Sequence, residues 1–166
     1  DCGCKSLVFV GLKEDRLAHR YRMESFLKET NRDGIFAEVL EDGKSYKSSF
    51  ERGYGQFSEF LDENGKLPDG VVAVSDATAN GVIKACMERK ISIPDEISLI
   101  GFDNINSDLP RIELTTVAVS QLRLLRQAFD LLMKIKEKGK LSKEQRRIRL
   151  CPELFERESC KKGEGK

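Results

Sequence analysis

The chain has 166 residues, of which 39% are hydrophobic and 34% charged, and its formal net charge is +1. This length fits a single domain or one lobe of a larger protein, and the composition is that of an ordinary soluble globule. Such a balanced charge gives no electrostatic footprint for nucleic acid. We find neither an apolar run of the roughly 20 residues that span a bilayer nor a signal-peptide pattern, so we expect a cytoplasmic chain that contacts no membrane.

The cysteines and the histidine suggest neither a disulfide framework nor a metal centre. The five cysteines form an odd, scattered set, which favours reduced thiols. Cys2 and Cys4 lie close together, but His19 is the only histidine and no second cysteine pair completes a tetrahedral zinc site. We therefore expect no metal, no cofactor, and a solvated His19 on a charged helix face.

Strands and helices alternate along most of the chain. Apolar runs predict strands at residues 6–10, 35–40, 71–74 and 97–102, and amphipathic stretches between them predict helices, the first over 17–30. Runs that are apolar throughout suit strands covered on both faces. This succession predicts an α/β fold in which helices flank a doubly wound, mainly parallel sheet.

The last part of the chain departs from this alternation. An extended piece over 114–119 precedes a helix over 121–136, and a final strand is expected at 147–150. The apolar side chains of that helix cover an arc of about 200°, much wider than a one-sided surface helix requires. We therefore expect the helix to need a further partner, such as another copy of the chain.

Two of the predicted strands end in acidic residues. Ser75-Asp76 follows the third strand and Asp103-Asn104 follows the fourth. Because the carboxyl ends of parallel strands meet at the edge where small ligands bind, Asp76 and Asp103 should emerge side by side. Capping of the next helix explains Asp76 equally well, so Asp103 is the stronger ligand candidate.

The familiar loops of doubly wound enzymes do not occur in this sequence. It contains no G-x-G-x-x-G, no G-x-x-x-x-G-K-[ST] and no G-x-S-x-G, so neither a phosphate-binding loop nor a nucleophile elbow is indicated. We therefore expect that the protein is not an enzyme.

Four motifs together carry a resemblance to a known family. They are Ser75-Asp76-Ala-x-Ala-x-Gly81, then Ile93-Pro-Asp-Glu-Ile-Ser-Leu-Ile-Gly-Phe-Asp-Asn104, then Pro110 with Leu114-Thr-Thr-Val117, and finally Pro152-Glu-Leu-x-x-Arg157-Glu-Ser159. In order and spacing they resemble the effector-binding domain of LacI/GalR-family transcriptional regulators, over nearly the whole chain.

This resemblance implies a division of the chain between two lobes. The family's effector domain is shaped like periplasmic sugar-binding proteins, with the ligand held between the lobes. By resemblance, residues 1–119 and the returning strand region 146–160 correspond to the C-terminal lobe, and 161–166 is a tail. Residues 120–145 correspond to a crossover helix that belongs to an N-terminal lobe. Both that lobe and the DNA-binding headpiece would lie outside this chain.

The resemblance also suggests which residues bind ligand. The family's ligand-binding arginine in the first helix matches Arg22, and its sugar-binding aspartate matches Asp103. Ser75 replaces the usual Asn or Thr, and Gln121 stands near the position of a stacking aromatic ring. The candidate ligand-binding residues are Asp103, Arg22, Asp76, Ser75, Asn104 and Gln121.

The function implied is that of a transcriptional repressor whose effector lobe binds a small polar metabolite such as a sugar. Family members usually form homodimers, and this chain would contact DNA only through the headpiece. The alternative is a solute-binding protein of a sugar transporter, which shares the architecture but requires export.

Overall fold

The structure is a computed structural model that describes residues 3–12, 16–41, 44–105, 112–142, 144–145 and 147–161. Within these ranges the chain forms a six-stranded sheet and four α-helices. The strands are β1 (Ser6–Val10), β2 (Phe36–Val39), β3 (Gly70–Ala73), β4 (Ser98–Phe102), β5 (Thr115–Ala118) and β6 (Glu153–Phe155). The helices are α1 (Leu17–Arg32), α2 (Ser49–Glu63), α3 (Asp76–Glu88) and α4 (Gln121–Lys138).

The strand order is β2-β1-β3-β4-β5-β6, and every neighbouring pair is parallel except β5 and β6. The chain therefore winds outward in both directions from β1, and the order reverses between β1 and β3. This confirms the predicted doubly wound, mainly parallel sheet. In such sheets, ligands bind outside the carboxyl ends of the strands, next to the point where the order reverses.

Two apolar layers cover the two faces of the sheet. On one face, Phe57 of α2 and Val82 of α3 join the strand residues Val71 and Leu99 in the larger core, and each of these is at most 1% exposed. On the other face, α1 packs Met23 and Phe26 against a smaller cluster around Phe9 and Val74.

Helices α2 and α3 touch at backbone level because glycines stand at their crossing. A Cβ atom at Gly53 would come within 2.1 Å of the Thr78 carbonyl oxygen, and one at Gly81 within 2.2 Å of the Phe50 carbonyl oxygen. Any larger residue at either position would force the helices apart. This close packing fixes α3, whose first residues reach the ligand edge.

The strand expected at 147–150 is wrong. These residues form no regular element, and the last strand is instead β6, which pairs antiparallel with β5 through Thr116 and Phe155. The alternation Arg-Ile-Arg-Leu is typical of a strand, but a strand also needs a free edge to pair with. In the structure, residues 153–155 occupy that edge.

Helix α4 matches the predicted helix, and none of its side chains is buried. Leu122, Leu125, Phe129 and Leu132 are each about 60% exposed or more, and Leu124 is 54% exposed. The apolar character that predicted burial is therefore real, but the described chain does not cover it. Among the described helices, none is both long enough and apolar enough to cross a membrane.

Candidate functional site

The carboxyl ends of β1, β3, β4 and β5 meet at one edge of the sheet, where α1 and α3 begin. Four of the six candidate residues, Ser75, Asp76, Asp103 and Asn104, directly follow β3 or β4. Arg22 reaches this edge from the second turn of α1, and Gln121 opens α4 just beyond β5. The predicted candidates are thus gathered at one edge, although they do not all face the same space.

Ser75, and not Asp76, caps α3. The Ser75 hydroxyl oxygen accepts a hydrogen bond from the Thr78 backbone N–H at 3.2 Å and lies 3.0 Å from the Thr78 hydroxyl. This interaction satisfies one of the unpaired N–H groups that every helix N-terminus presents. The Ser75 side chain is therefore engaged with its own helix in this structure.

The Asp76 carboxylate forms hydrogen bonds with two other segments of the chain. It accepts a hydrogen bond from the Thr116 hydroxyl of β5 at 2.7 Å and another from the Ile105 backbone N–H at 2.8 Å. Asp76 is 2% exposed. Asp76 therefore does not cap its helix, which was one of the two roles considered for it, and instead links α3 to β5 and to the loop after β4.

Burial raises the pKa of Asp76, and the nearby charge of Asp103 adds to this effect. The hydrogen bonds from Thr116 and Ile105 lower this pKa because they stabilise the ionised carboxylate. The positive charge of Arg157 lowers it as well. Gly101 leaves room for this carboxylate, since a Cβ atom there would lie 2.2 Å from Asp76 Oδ1.

Arg22 and Asp103 form the charged pair of the site. Arg22 Nη2 lies 3.5 Å from Asp103 Oδ1, and Arg22 Nη1 donates a hydrogen bond to the Val74 carbonyl at 2.5 Å. The guanidinium also lies over the Phe102 ring, 4.0 Å from its centroid. The two side chains remain 26% and 38% exposed, so both can still contact a bound molecule.

The turn after β4 presents Asp103 and Asn104 in an uncommon backbone conformation. Their φ angles are 110° and 53°, and neither residue is glycine. Non-glycine residues rarely adopt positive φ, and such residues concentrate at functional sites. This turn therefore needs support from its surroundings to hold its shape.

Asp103, Asn104 and Gln121 line one pocket of about 380 Å³. Residues 118–120, Glu153 and Phe155 complete its wall. The lining thus combines carboxylate, amide and hydroxyl groups with one aromatic ring, a mixture suited to a polar molecule with several hydroxyl groups. Asp76 and Ser75 support this edge without lining the pocket.

His19 is buried, so its expected exposure to solvent is wrong. It is 8% exposed, its Nδ1 atom has no hydrogen-bond partner among the described residues, and a backbone hydrogen bond joins it to Gly11. His19 precedes Met23 and Phe26 at helical spacing, which places it on the face of α1 that packs on the sheet. Burial lowers its pKa most, and three nearby charges lower it further: Arg16, Arg22 and Arg52.

Arg157 contacts the site but is absent from the candidate residues predicted from the sequence. Its guanidinium donates to the Asn104 side-chain oxygen at 2.5 Å and to the Leu114 carbonyl at 2.7 Å. In the sequence, Arg157 was noted only as one residue of the fourth motif. Its separation of 53 residues from Asn104 hides the contact from any local pattern.

No group of histidine, cysteine, aspartate and glutamate side chains in the described part of the chain could hold a metal ion. Cys4, Cys86, Cys151 and Cys160 are thiols rather than disulfides. Cys2 and Pro110 lie outside the described residues.

Sequence comparison relates this chain to a defined group of proteins. A family model described as a periplasmic binding protein-like domain matches residues 1–160. The HTH-type transcriptional repressor PurR of Histophilus somni (strain 2336) is 42% identical over 113 residues, which are 67% of this chain and 33% of that protein. PurR of Haemophilus influenzae (strain ATCC 51907 / DSM 11121 / KW20 / Rd) is 30% identical over 165 residues, 97% of this chain and 48% of that protein. The chain therefore spans half or less of the length of these relatives.

Solved structures give the same picture at the level of the fold. A LacI family transcriptional regulator from Enterococcus faecium with bound ribose aligns with a TM-score of 0.76 and 25% identity, over 96% of this chain and 57% of that one. A LacI family transcriptional regulator from Arthrobacter sp. FB24 in complex with lactose aligns with a TM-score of 0.80 and 21% identity, over 95% and 57% of the two chains.

Proposed function

The chain belongs to the periplasmic binding protein-like domain family of LacI-type transcriptional regulators, and we propose that it senses a small polar effector, such as a sugar or sugar derivative, for a transcriptional repressor. The observation that carries this proposal is the pairing of Arg22 and Asp103 beside a polar pocket at the carboxyl edge of the sheet. A guanidinium supplies hydrogen-bond donors and a carboxylate supplies acceptors, so together they satisfy the hydroxyl groups of a sugar.

The pocket favours a neutral, hydroxyl-rich molecule over a strongly anionic one. Asp103 and Glu153 both line it, and Asn104 and Gln121 contribute amides. These two carboxylates would repel negative charge on the ligand. The Enterococcus faecium relative with bound ribose supports a pentose as the first molecule to test.

The relatives are named as transcriptional repressors rather than enzymes or transport proteins, which favours regulation over the solute-binding alternative. Because the chain spans about half of their length, we also propose the organisation of the whole regulator. In this regulator, residues 1–119 and 146–160 form one lobe of a cytoplasmic homodimer. Residues 120–145 pack on a second lobe, and a separate headpiece contacts DNA.

The proposed mechanism is a shift between two lobe orientations. An effector that contacts both lobes binds the closed arrangement more tightly than the open one, and so it changes the population of the two. The same free energy alters the spacing of the headpieces in a dimer, because coupling between two sites is reciprocal. No covalent step is required.

Calorimetry with the longer, two-lobed protein that this proposal requires provides the test. The protein is titrated with ribose, other pentoses and hexoses, and nucleosides. We expect at least one to bind, and binding to weaken in Arg22→Met but not in Arg20→Met, a change at an exposed arginine of the same helix. Failure of every carbohydrate and nucleoside to bind would contradict the sugar-sensing function.

A further inference from the structure

We propose that Arg157 is a positioning residue of the effector site, which holds the turn after β4 through Asn104 and so aims Asp103 at the pocket and at Arg22. This inference rests on the proposed function of the pocket. It adds a residue from the segment beyond β6 to a site otherwise built from α1, the turn after β4, the end of β5, the start of α4 and β6.

Arg157 is anchored before its side chain reaches the turn. Its backbone N–H donates to the Thr115 hydroxyl oxygen at 2.9 Å, and the same hydroxyl donates to the Arg157 carbonyl at 3.1 Å. Two residues later, Ser159 is completely buried and its hydroxyl accepts from the Thr115 backbone N–H at 2.8 Å. The base of the arginine is therefore fixed to β5 and does not depend on the turn.

The guanidinium spans the gap between β5 and the turn. One nitrogen donates to the Leu114 carbonyl at 2.7 Å, and the other donates to Asn104 Oδ1 at 2.5 Å. A planar group with donors in a fixed fork can satisfy two such acceptors at once, whereas a lysine ammonium is a compact charge on a flexible stem. The geometry thus uses a property that is specific to arginine.

The turn itself has reason to need this support. Asp103 and Asn104 have φ angles of 110° and 53°, which L-residues adopt only when the surroundings impose them. Three successive backbone N–H groups are held from below: Asp103 donates to Val117 O, Asn104 to Thr116 Oγ1 and Ile105 to Asp76 Oδ2. Arg157 adds a restraint from the side, on the residue next to Asp103.

Hydrogen exchange of this chain, followed by NMR, tests the proposal without any ligand. In Arg157→Met, we expect the amides of residues 103–105 to exchange about tenfold faster or more, as loss of a hydrogen bond to a charged group implies. Amides of β1 and β3 should keep their protection. The matched control is Arg32→Met, which removes an exposed arginine paired with Asp33 at 2.9 Å at the far end of α1 and leaves the turn untouched.

Two further variants separate positioning from a general loss of stability. Asn104→Ala removes the same hydrogen bond from its other end, so it should reproduce the local effect even if Arg157→Met fails to fold. Arg157→Lys keeps the charge and should restore only part of the protection. Equal acceleration over the whole sheet would show a merely structural role, and unchanged exchange at residues 103–105 in a folded Asn104→Ala or Arg157→Met protein would overturn the proposal.

Binding measurements then connect the turn to the effector. In the two-lobed protein titrated with ribose, or with whichever sugar of the panel binds, Arg157→Met should weaken affinity about tenfold or more, and Arg32→Met should not. Binding that survives Arg157→Met unchanged would overturn the positioning role. Absence of binding in the unaltered protein would instead overturn the proposed function, while the exchange result would still decide whether Arg157 holds Asp103.

Discussion

The Thr116 hydroxyl on β5 donates a hydrogen bond to the Asp76 carboxylate on α3 at 2.7 Å, and both residues are almost completely buried. Thr116 Oγ1 also accepts from the Asn104 backbone N–H at 3.3 Å. One hydroxyl therefore joins the start of α3, the middle of β5 and the turn that carries Asp103. The exposed part of the candidate site is built on this buried contact.

Replacing Thr116 with valine should destabilise the chain by about 2–3 kcal/mol, because valine has the same shape but leaves a buried Asp76 oxygen without its donor. Thr116→Ser keeps the hydroxyl and removes only a methyl group, so it should cost about 1 kcal/mol. Urea unfolding of the two variants gives both values. A valine variant as stable as the serine variant would contradict this account of the contact.

The raised pKa of Asp76 should appear in the pH dependence of stability. A carboxyl group whose pKa is higher in the folded state than in the unfolded state binds its proton more tightly when folded. Its stabilising effect is therefore complete below the ordinary aspartate pKa of about 3.9 and is lost as the pH rises through the folded value.

Urea unfolding of wild type and Asp76→Asn across this pH range measures the effect. As the pH rises, the free energy of unfolding of wild type should fall relative to that of Asp76→Asn. A carbon NMR titration of Asp76 gives the pKa directly. In Thr116→Val the pKa should rise further, because a hydrogen bond to the ionised form is lost. Titration at or below the ordinary value would show that the hydrogen bonds outweigh burial.

Arg22→Lys should weaken effector binding by the two-lobed protein about tenfold to a hundredfold. Lysine keeps the positive charge but cannot contact Val74, Asp103 and a ligand hydroxyl from one rigid fork. Arg20→Lys is the matched control, because Arg20 is exposed on the same helix. Calorimetry with a sugar that binds wild type measures the change. Equal affinity of the Arg22→Lys and Arg20→Lys proteins would remove Arg22 from the binding site.

The sequence predicted the sheet well because its inner strands are short apolar runs with turn residues on both sides. It also placed Asp103 correctly, since a residue that directly follows a buried parallel strand must lie at the carboxyl edge. Asp76 was ambiguous because either Ser75 or Asp76 can cap a helix, and only the partner Thr116, 40 residues away, decides between them. Contacts of this kind leave no periodic pattern.

Two errors arose because a local pattern alone was used to predict each feature. At 147–150 an alternating pattern predicted a strand, although pairing depends on which segment reaches the edge of β5. For His19, charged neighbours suggested solvent, while the helical spacing to Met23 and Phe26 pointed to the core. In both cases the decisive factor is the position of another element.

Cys86 and Cys151 should differ strongly in reactivity toward thiol reagents. Burial raises the pKa of the Cys86 thiol to about 12, and this side chain is 1% exposed, whereas Cys151 is exposed. Because the thiolate is the reactive form, N-ethylmaleimide at neutral pH should label Cys151 quickly and Cys86 only after unfolding. Peptide mass spectrometry of native and urea-unfolded samples distinguishes the two, and fast native labelling of Cys86 would contradict its packed position on the buried face of α3.

The apolar face of α4 should contribute little to the stability of this chain alone. Leu125 is 67% exposed, so Leu125→Ala should change the free energy of unfolding by less than about 0.5 kcal/mol. Leu99→Ala, at a fully buried position of β4, should cost about 2–5 kcal/mol and serves as the contrast.

Exposed apolar side chains in a row favour association, so Leu125→Glu with Phe129→Glu should reduce self-association in sedimentation velocity. A cost for Leu125→Ala comparable to that of Leu99→Ala would mean that α4 is packed within its own chain, and an unchanged sedimentation profile in the double variant would exclude this face as the contact between copies.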